Sequence, residues 1–180
     1  MKHAFPIVVV VLLVTVSFRA YAQHQEPATL RSVLLEQLRT THNQADWFVP
    51  INTAIEGLTA EQASWKPASG SHSVGQLTYH LLFWNRRNLA NFKGEPKEKF
   101  SGNNEETFDK FDTNQWNDMV KQLDHVMTDL EKIIETADEQ KLASWGSTIA
   151  KICSHNAYHV GQIVYVRKLQ GSWNPEKGVK

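Results

Sequence analysis

Residues 147–171, STIAKICSHNAYHVGQIVYVRKLQG, decide the fold. Ile152, His155, His159, Ile163, Val166 and Leu169 recur at three- and four-residue spacing, the period of a helix with one inward face. Gly171, followed by Pro175, supplies stop chemistry, so a helix is expected over about Ser147 to Gln170. On it His155 and His159 stand one turn apart, about 40° apart around the axis, close enough for both imidazoles to reach one ion. Two histidines pointing into a core need partners for their ring nitrogens and resist being charged together, and a shared metal ion meets both needs. Cys153, the single cysteine, falls about 140° around the same helix from the pair, so it reads as a packed thiol and not a ligand. With no second cysteine, no intramolecular disulfide can form.

Toward the N-terminus, Trp116, Met119, Val120, Leu123, Met127, Leu130, Ile133 and Ile134 mark a helix capped by Thr113 and fading near Thr136 to Asp138. Ser73-Val74-Gly75-Gln76 has the form of a capping box and opens an apolar helix through Leu77, Leu81, Leu82, Phe83 and Trp84, ending near Phe92-Lys93-Gly94. His80 lies in its middle, either as a third ligand or as a core histidine hydrogen-bonded to a neighbouring helix. Thr59-Ala60-Glu61-Gln62 is a further capping box for a single turn. The stripe from Leu30, Val33, Leu34 and Leu38 through Phe48 and Ile51 to Leu58 predicts one helix over about 29–57, bent at Pro50. Between Glu95 and Asp112 lies the longest connection, of a length that is often functional or mobile. Four long helices and no strand alternation predict an all-α, up-and-down four-helix bundle with one long crossover connection, a fold that builds metal sites from inward side chains.

The 180 residues are 41% hydrophobic and 21% charged, which suits one core. Residues 1–22 read as a secretory signal: Lys2, an apolar run from Phe5 to Phe18, then Ala20-Tyr21-Ala22, with cleavage expected after Ala22. The run is shorter than the ~20 residues that span a bilayer and Arg19 interrupts it, so no stable membrane insertion is expected after cleavage. An exported chain, periplasmic or secreted, would comprise a tether at 23–28, the bundle at 29–171 and a tail at 172–180. Losing Lys2 and Arg19 takes the 19 basic side chains to 17 against 19 acidic, a net charge of about −2 with neutral histidines. That balance offers no footprint for nucleic acid or an anionic membrane.

Gly57-Leu58-Thr59 with Trp65-Lys66-Pro67, the stretch from Ser73 to His80, and His155-Asn156-Ala157-Tyr158-His159-Val160-Gly161-Gln162-Ile163 together resemble the DinB-like (DinB/YfiT) superfamily over nearly the whole mature chain. The resemblance implies a four-helix bundle with a long crossover and a three-histidine metal site, here His80, His155 and His159. It implies one divalent ion per chain, zinc or nickel, and a homodimer as in many members; three neutral imidazoles by their own chemistry also suit iron or copper. Some members are thiol transferases or thiol-dependent isomerases. Export would separate this chain from the cytosolic thiol pool, so the metal site carries over while the substrate stays open.

Three imidazoles leave a coordination position open, which favours a metal-dependent hydrolase or thiol transferase acting on an unknown small molecule. The alternative is a non-catalytic metal-binding or stress-related interaction protein. An exchangeable water in a pocket lined by Trp84 and Tyr158 would favour catalysis. Gln76 and Gln162, one turn from ligands, are expected to support them. Arg87 is expected at the surface more than against an anionic substrate, and His72 and His125 are expected to be peripheral. No acid stands beside the triad; His42, paired with Asp46 one turn on, is the nearest further ligand or base.

Overall fold

The computed structural model describes residues 27–68, 72–96 and 100–179; the expected leader and residues 23–26 of the tether lie outside them. The described residues are helical and contain no strand. The bundle is formed by α1 (Leu30–His42), α4 (Val74–Lys93), α5 (Trp116–Thr136) and α6 (Glu139–Gln170), with two short helices, α2 (Ile51–Ile55) and α3 (Ala60–Ser64), between the first pair.

Side-chain pairings fix the directions. Arg31, at the start of α1, donates to the carbonyls of Ile134, Glu135 and Ala137 at the end of α5, so these two helices are antiparallel. Arg86 with Gln122 and Lys93 with Asp129 pair α4 and α5 in the same direction. Phe92 packs on Trp145 while Asn85 bonds Asn156, so α4 and α6 run antiparallel. Parallel α4 and α5 must be joined across the length of the bundle, which is the work of the long connection.

The first helix differs from the sequence expectation. It stops at His42, and Pro50 caps α2 instead of kinking a continuous rod. A proline disfavours helical backbone at the residue before it, and its ring collides with the carbonyl four residues back, so no helix passes through Val49. The break spreads over the intervening residues, where Trp47 is 90% exposed. The last helix begins eight residues earlier than expected, capped by Asp138, whose side chain accepts from Lys141 N–H. Its first turns bury only Leu142 and Gly146, too sparse a pattern to register as apolar periodicity. Thr113 does not cap the third long helix: a 3-10 turn (Thr113–Gln115), capped by Asp112, leads into α5, which starts without a side-chain cap. The tail is tied down, since Arg167 donates to Ser172 O and Lys177 pairs with Glu56.

Both capping boxes form, at Thr59 and at Ser73, and Gly94 and Gly171 end α4 and α6 in the left-handed conformation. Gly75 has a different purpose: a methyl there would overlap the Phe111 ring, so the missing side chain lets the crossover lie on the first turn of α4. Leu38, Leu81, Leu123, Leu142 and Ile163 are fully enclosed, each contributing about 1.5–3 kcal/mol of apolar burial. No helix among the described residues is long and apolar enough to cross a membrane.

Candidate metal centre

α4 and α6 face each other along a seam whose register is set by two buried amides. Asn85 donates to Asn156 Oδ1 at 2.8 Å and receives a bond from Asn156 Nδ2 at 3.3 Å. Neither side chain reaches water, so sliding the helices would strand both pairs. In that register His80 comes opposite His155 and His159. One ring nitrogen from each lies within 4.8 Å of the other two. His80 Nε2 and His155 Nε2 are 3.0 Å apart, near the roughly 3.3 Å that separates two nitrogens on a tetrahedral zinc ion. His80 and His159 are buried and His155 is half-buried.

The hydrogen bonds behind the rings decide which nitrogen faces inward. Thr107 Oγ1 donates to the carbonyl of Asn104 at 2.6 Å, so toward His80 it can only accept, and His80 Nδ1 carries the proton. The Nε2 lone pair of His80 is thereby left toward the cluster. His159 repeats the arrangement: its Nδ1 lies 2.6 Å from Gln162 Oε1, while Gln162 Nε2 donates to Tyr158 Oη at 3.2 Å. Two of the three imidazoles are therefore held in the tautomer a metal ligand needs, by oxygen acceptors of the kind that orient ligating histidines.

Burial pushes His80 down to about 3, helped by the neighbouring charges of His159, His155 and His72 if these were protonated. His155 falls to about 4 through burial and His159. Burial also lowers His159, with the Gln162 bond opposing it. All three are neutral donors at ordinary pH, which is the state that binds a divalent ion. Cys153 is buried as expected, its thiol pushed up to about 12 by burial, and it takes no part.

The crossover completes the site. A 3-10 turn (Asn104–Thr107), started by Asn103, delivers Thr107 to His80 and places Phe108 flat on the His80 ring, with centroids 3.9 Å apart and planes 4° apart. His72 stacks on the other side of Phe108 and lies 3.5 Å from Glu105. His72, Asn104, Glu105 and Phe108, together with Tyr158, Gln162 and the three histidines, line a cavity of about 400 Å³. A second, of about 390 Å³, shares Asn104 and His155 with it and runs past Trp84.

Several expectations change. Gln76 is spent on its helix start, where its Oε1 accepts from Ser73 N–H, so it does not support His80. His42 does not pair with Asp46, because α1 ends at His42 and the two never share a helical face. It is buried instead between Asp124 and Glu131 of α5, away from the three histidines. His72 is part of the cavity wall and not peripheral, whereas His125 is exposed beside Asp129. Arg87 lies over the Phe83 and Phe100 rings and lines neither cavity. Thr107 and Phe108 carried no spacing signal, though the capping box Asn103-x-x-Glu106 would have located their turn.

A family model described as DinB superfamily matches residues 51–163, which contain all three histidines, the crossover and both amides of the seam. No curated protein and no solved structure matches the chain.

Proposed function

The chain belongs to the DinB superfamily, and from that footing we propose that it is a divalent-metal-binding protein whose ion serves catalysis, as a hydrolase or a thiol transferase. The observation that carries the reading is the pair of proton commitments, His80 Nδ1 to Thr107 and His159 Nδ1 to Gln162, which leave Nε2 lone pairs for one ion. His80, His155 and His159 would hold it, and neutral imidazoles suit zinc or nickel, with iron(II) and copper(II) as alternatives. When bound, such an ion supplies Lewis acidity, polarising a substrate oxygen and making water or a thiol more acidic.

The chain's own residues do the rest. Thr107 and Gln162 fix ring orientation, Phe108 covers the flat face of His80 against solvent, and Tyr158 stands at the rim with 64% of its surface exposed. A cavity lined by all three ligands supports catalysis over a closed scaffold role, since a reactant can reach them. Export is part of the proposal, resting on the apolar leader and the Ala20-Tyr21-Ala22 site; an N-terminus at Gln23 in the exported protein checks it.

The test is turnover by metal-loaded protein on a panel of amides, esters and thiol acceptors. Activity lost to a chelator and restored by the ion is expected. A fully loaded protein inert toward the whole panel would favour the non-catalytic reading.

A further inference from the structure

The cavity beside the histidines has a composition of its own. Trp84, Asn85 and Asn88 of α4 face Thr148, Lys151, Ile152 and His155 of α6, with Asn104 of the crossover closing one side. At about 390 Å³ it has the size of a small-molecule site. Lys151 is the only charged side chain among the described residues lining it, and no acid joins it there. It sits one turn before His155 on α6, about 6 Å along the axis. The Trp84 indole stands edge-on to His80, with centroids 6.4 Å apart, and gives the cavity an apolar wall beside the ligand cluster.

Resting on the metal-site reading above, we propose that this cavity extends the one lined by the three histidines into a substrate chamber and takes a small organic carboxylate with a flat apolar body. The carboxylate meets Lys151, the body lies along Trp84 and Ile152, and the far end reaches His155 and the ion. Asn88 and Thr148 supply neutral donors to the same acid group. A phosphate dianion fits less well, because it calls for a second cation or a helix N-terminus and the lining offers neither. Asn104 and the indole suit a neutral middle segment, such as an aryl or amide group.

The experiment is calorimetric titration of metal-loaded protein with phenylacetate and with its neutral isostere phenylacetamide, with metal content measured on the same samples. Phenylacetate is expected to bind at least about tenfold more tightly, the size of one charge-assisted contact. Lys151→Gln is expected to erase that preference while keeping the ion, and Trp84→Leu to weaken both probes alike. Equal binding of the two probes, undiminished phenylacetate binding in Lys151→Gln, or no phenylacetate binding at millimolar concentration overturns the chamber. The second of those results would mean that the acid sits on the ion alone. A chain that takes up no divalent ion on loading yet keeps the Lys151-dependent preference defeats the metal reading and leaves the chamber standing.

Discussion

His42 and His80 are buried to the same degree, at 0% and 1% exposure, yet they end in opposite protonation states. His42 sits between two acids, with Nδ1 2.5 Å from Glu131 and Nε2 2.9 Å from Asp124. Ionised carboxylates only accept, so both ring nitrogens must donate and the ring is an imidazolium. Burial pushes its pKa down, but the hydrogen bonds and charges of Glu131 and Asp124 outweigh burial and leave it raised. His80 has a hydroxyl behind Nδ1 and other imidazoles in front of Nε2, so nothing offsets burial and it stays neutral. Neighbours, and not depth, turn one buried histidine into a structural cation and leave His80 neutral, the state in which an imidazole can donate to a metal ion.

The largest effect expected from breaking this contrast is in stability. His42→Leu removes the cation and leaves two acids facing each other, at a cost of about 3 kcal/mol, the low end for a broken buried pair because Asp124 is half-exposed. Urea unfolding measures it, and metal content should be unchanged. A loss below about 1 kcal/mol would show that His42 is not a cation in the fold.

The two sites also predict a stability profile squeezed from both sides in metal-free protein. His42 has a raised folded pKa, so its contribution is fully present below its ordinary value of 6.5 and is lost as pH rises through the folded value. His80 and His155 have lowered folded values of about 3 and 4, so below pH 6.5 the unfolded chain takes up protons that the fold refuses. Stability from these two is therefore lost as pH falls from 6.5 toward 4 for His155 and toward 3 for His80. Unfolding in chelator from about pH 4 to about pH 9 checks both flanks, and His42→Leu should flatten the alkaline one only.

Smaller effects sharpen the ligand side. Thr107→Val removes the acceptor for His80 Nδ1–H and should weaken metal affinity about 10–100-fold, read by competition with a chelator. Gln162→Leu should cost about tenfold or less, since Gln162 is only half-buried and water can replace its oxygen. Unchanged affinity in Thr107→Val would remove the tautomer argument.

Much of this was legible before any coordinates. Capping boxes at Thr59 and Ser73, stop glycines at Gly94 and Gly171, and helical spacing around His155 and His159 are local signals, and the structure carries each. The pairing of His42 with Asp46 presumes a helix continuing past His42, and α1 ends there. Once that helix ends, an acid four residues on is no longer a neighbour, and Asp124 and Glu131 are distant in sequence. Thr107 and Phe108 were missed because a crossover has no period to read; their positions follow from the 3-10 turn and from Phe111 seating on Gly75. Helical geometry supported the pair on α6 more than it supported His80, whose place depends on the α4–α6 register set by Asn85 and Asn156.

The most direct measurement is the metal content of tag-free protein beside that of His80→Ala, His155→Ala, His159→Ala and His42→Leu. About one divalent ion per chain in the wild type and in His42→Leu, with loss of the ion in each of the three ligand variants, is the predicted result. Full occupancy retained by all three ligand variants would contradict it.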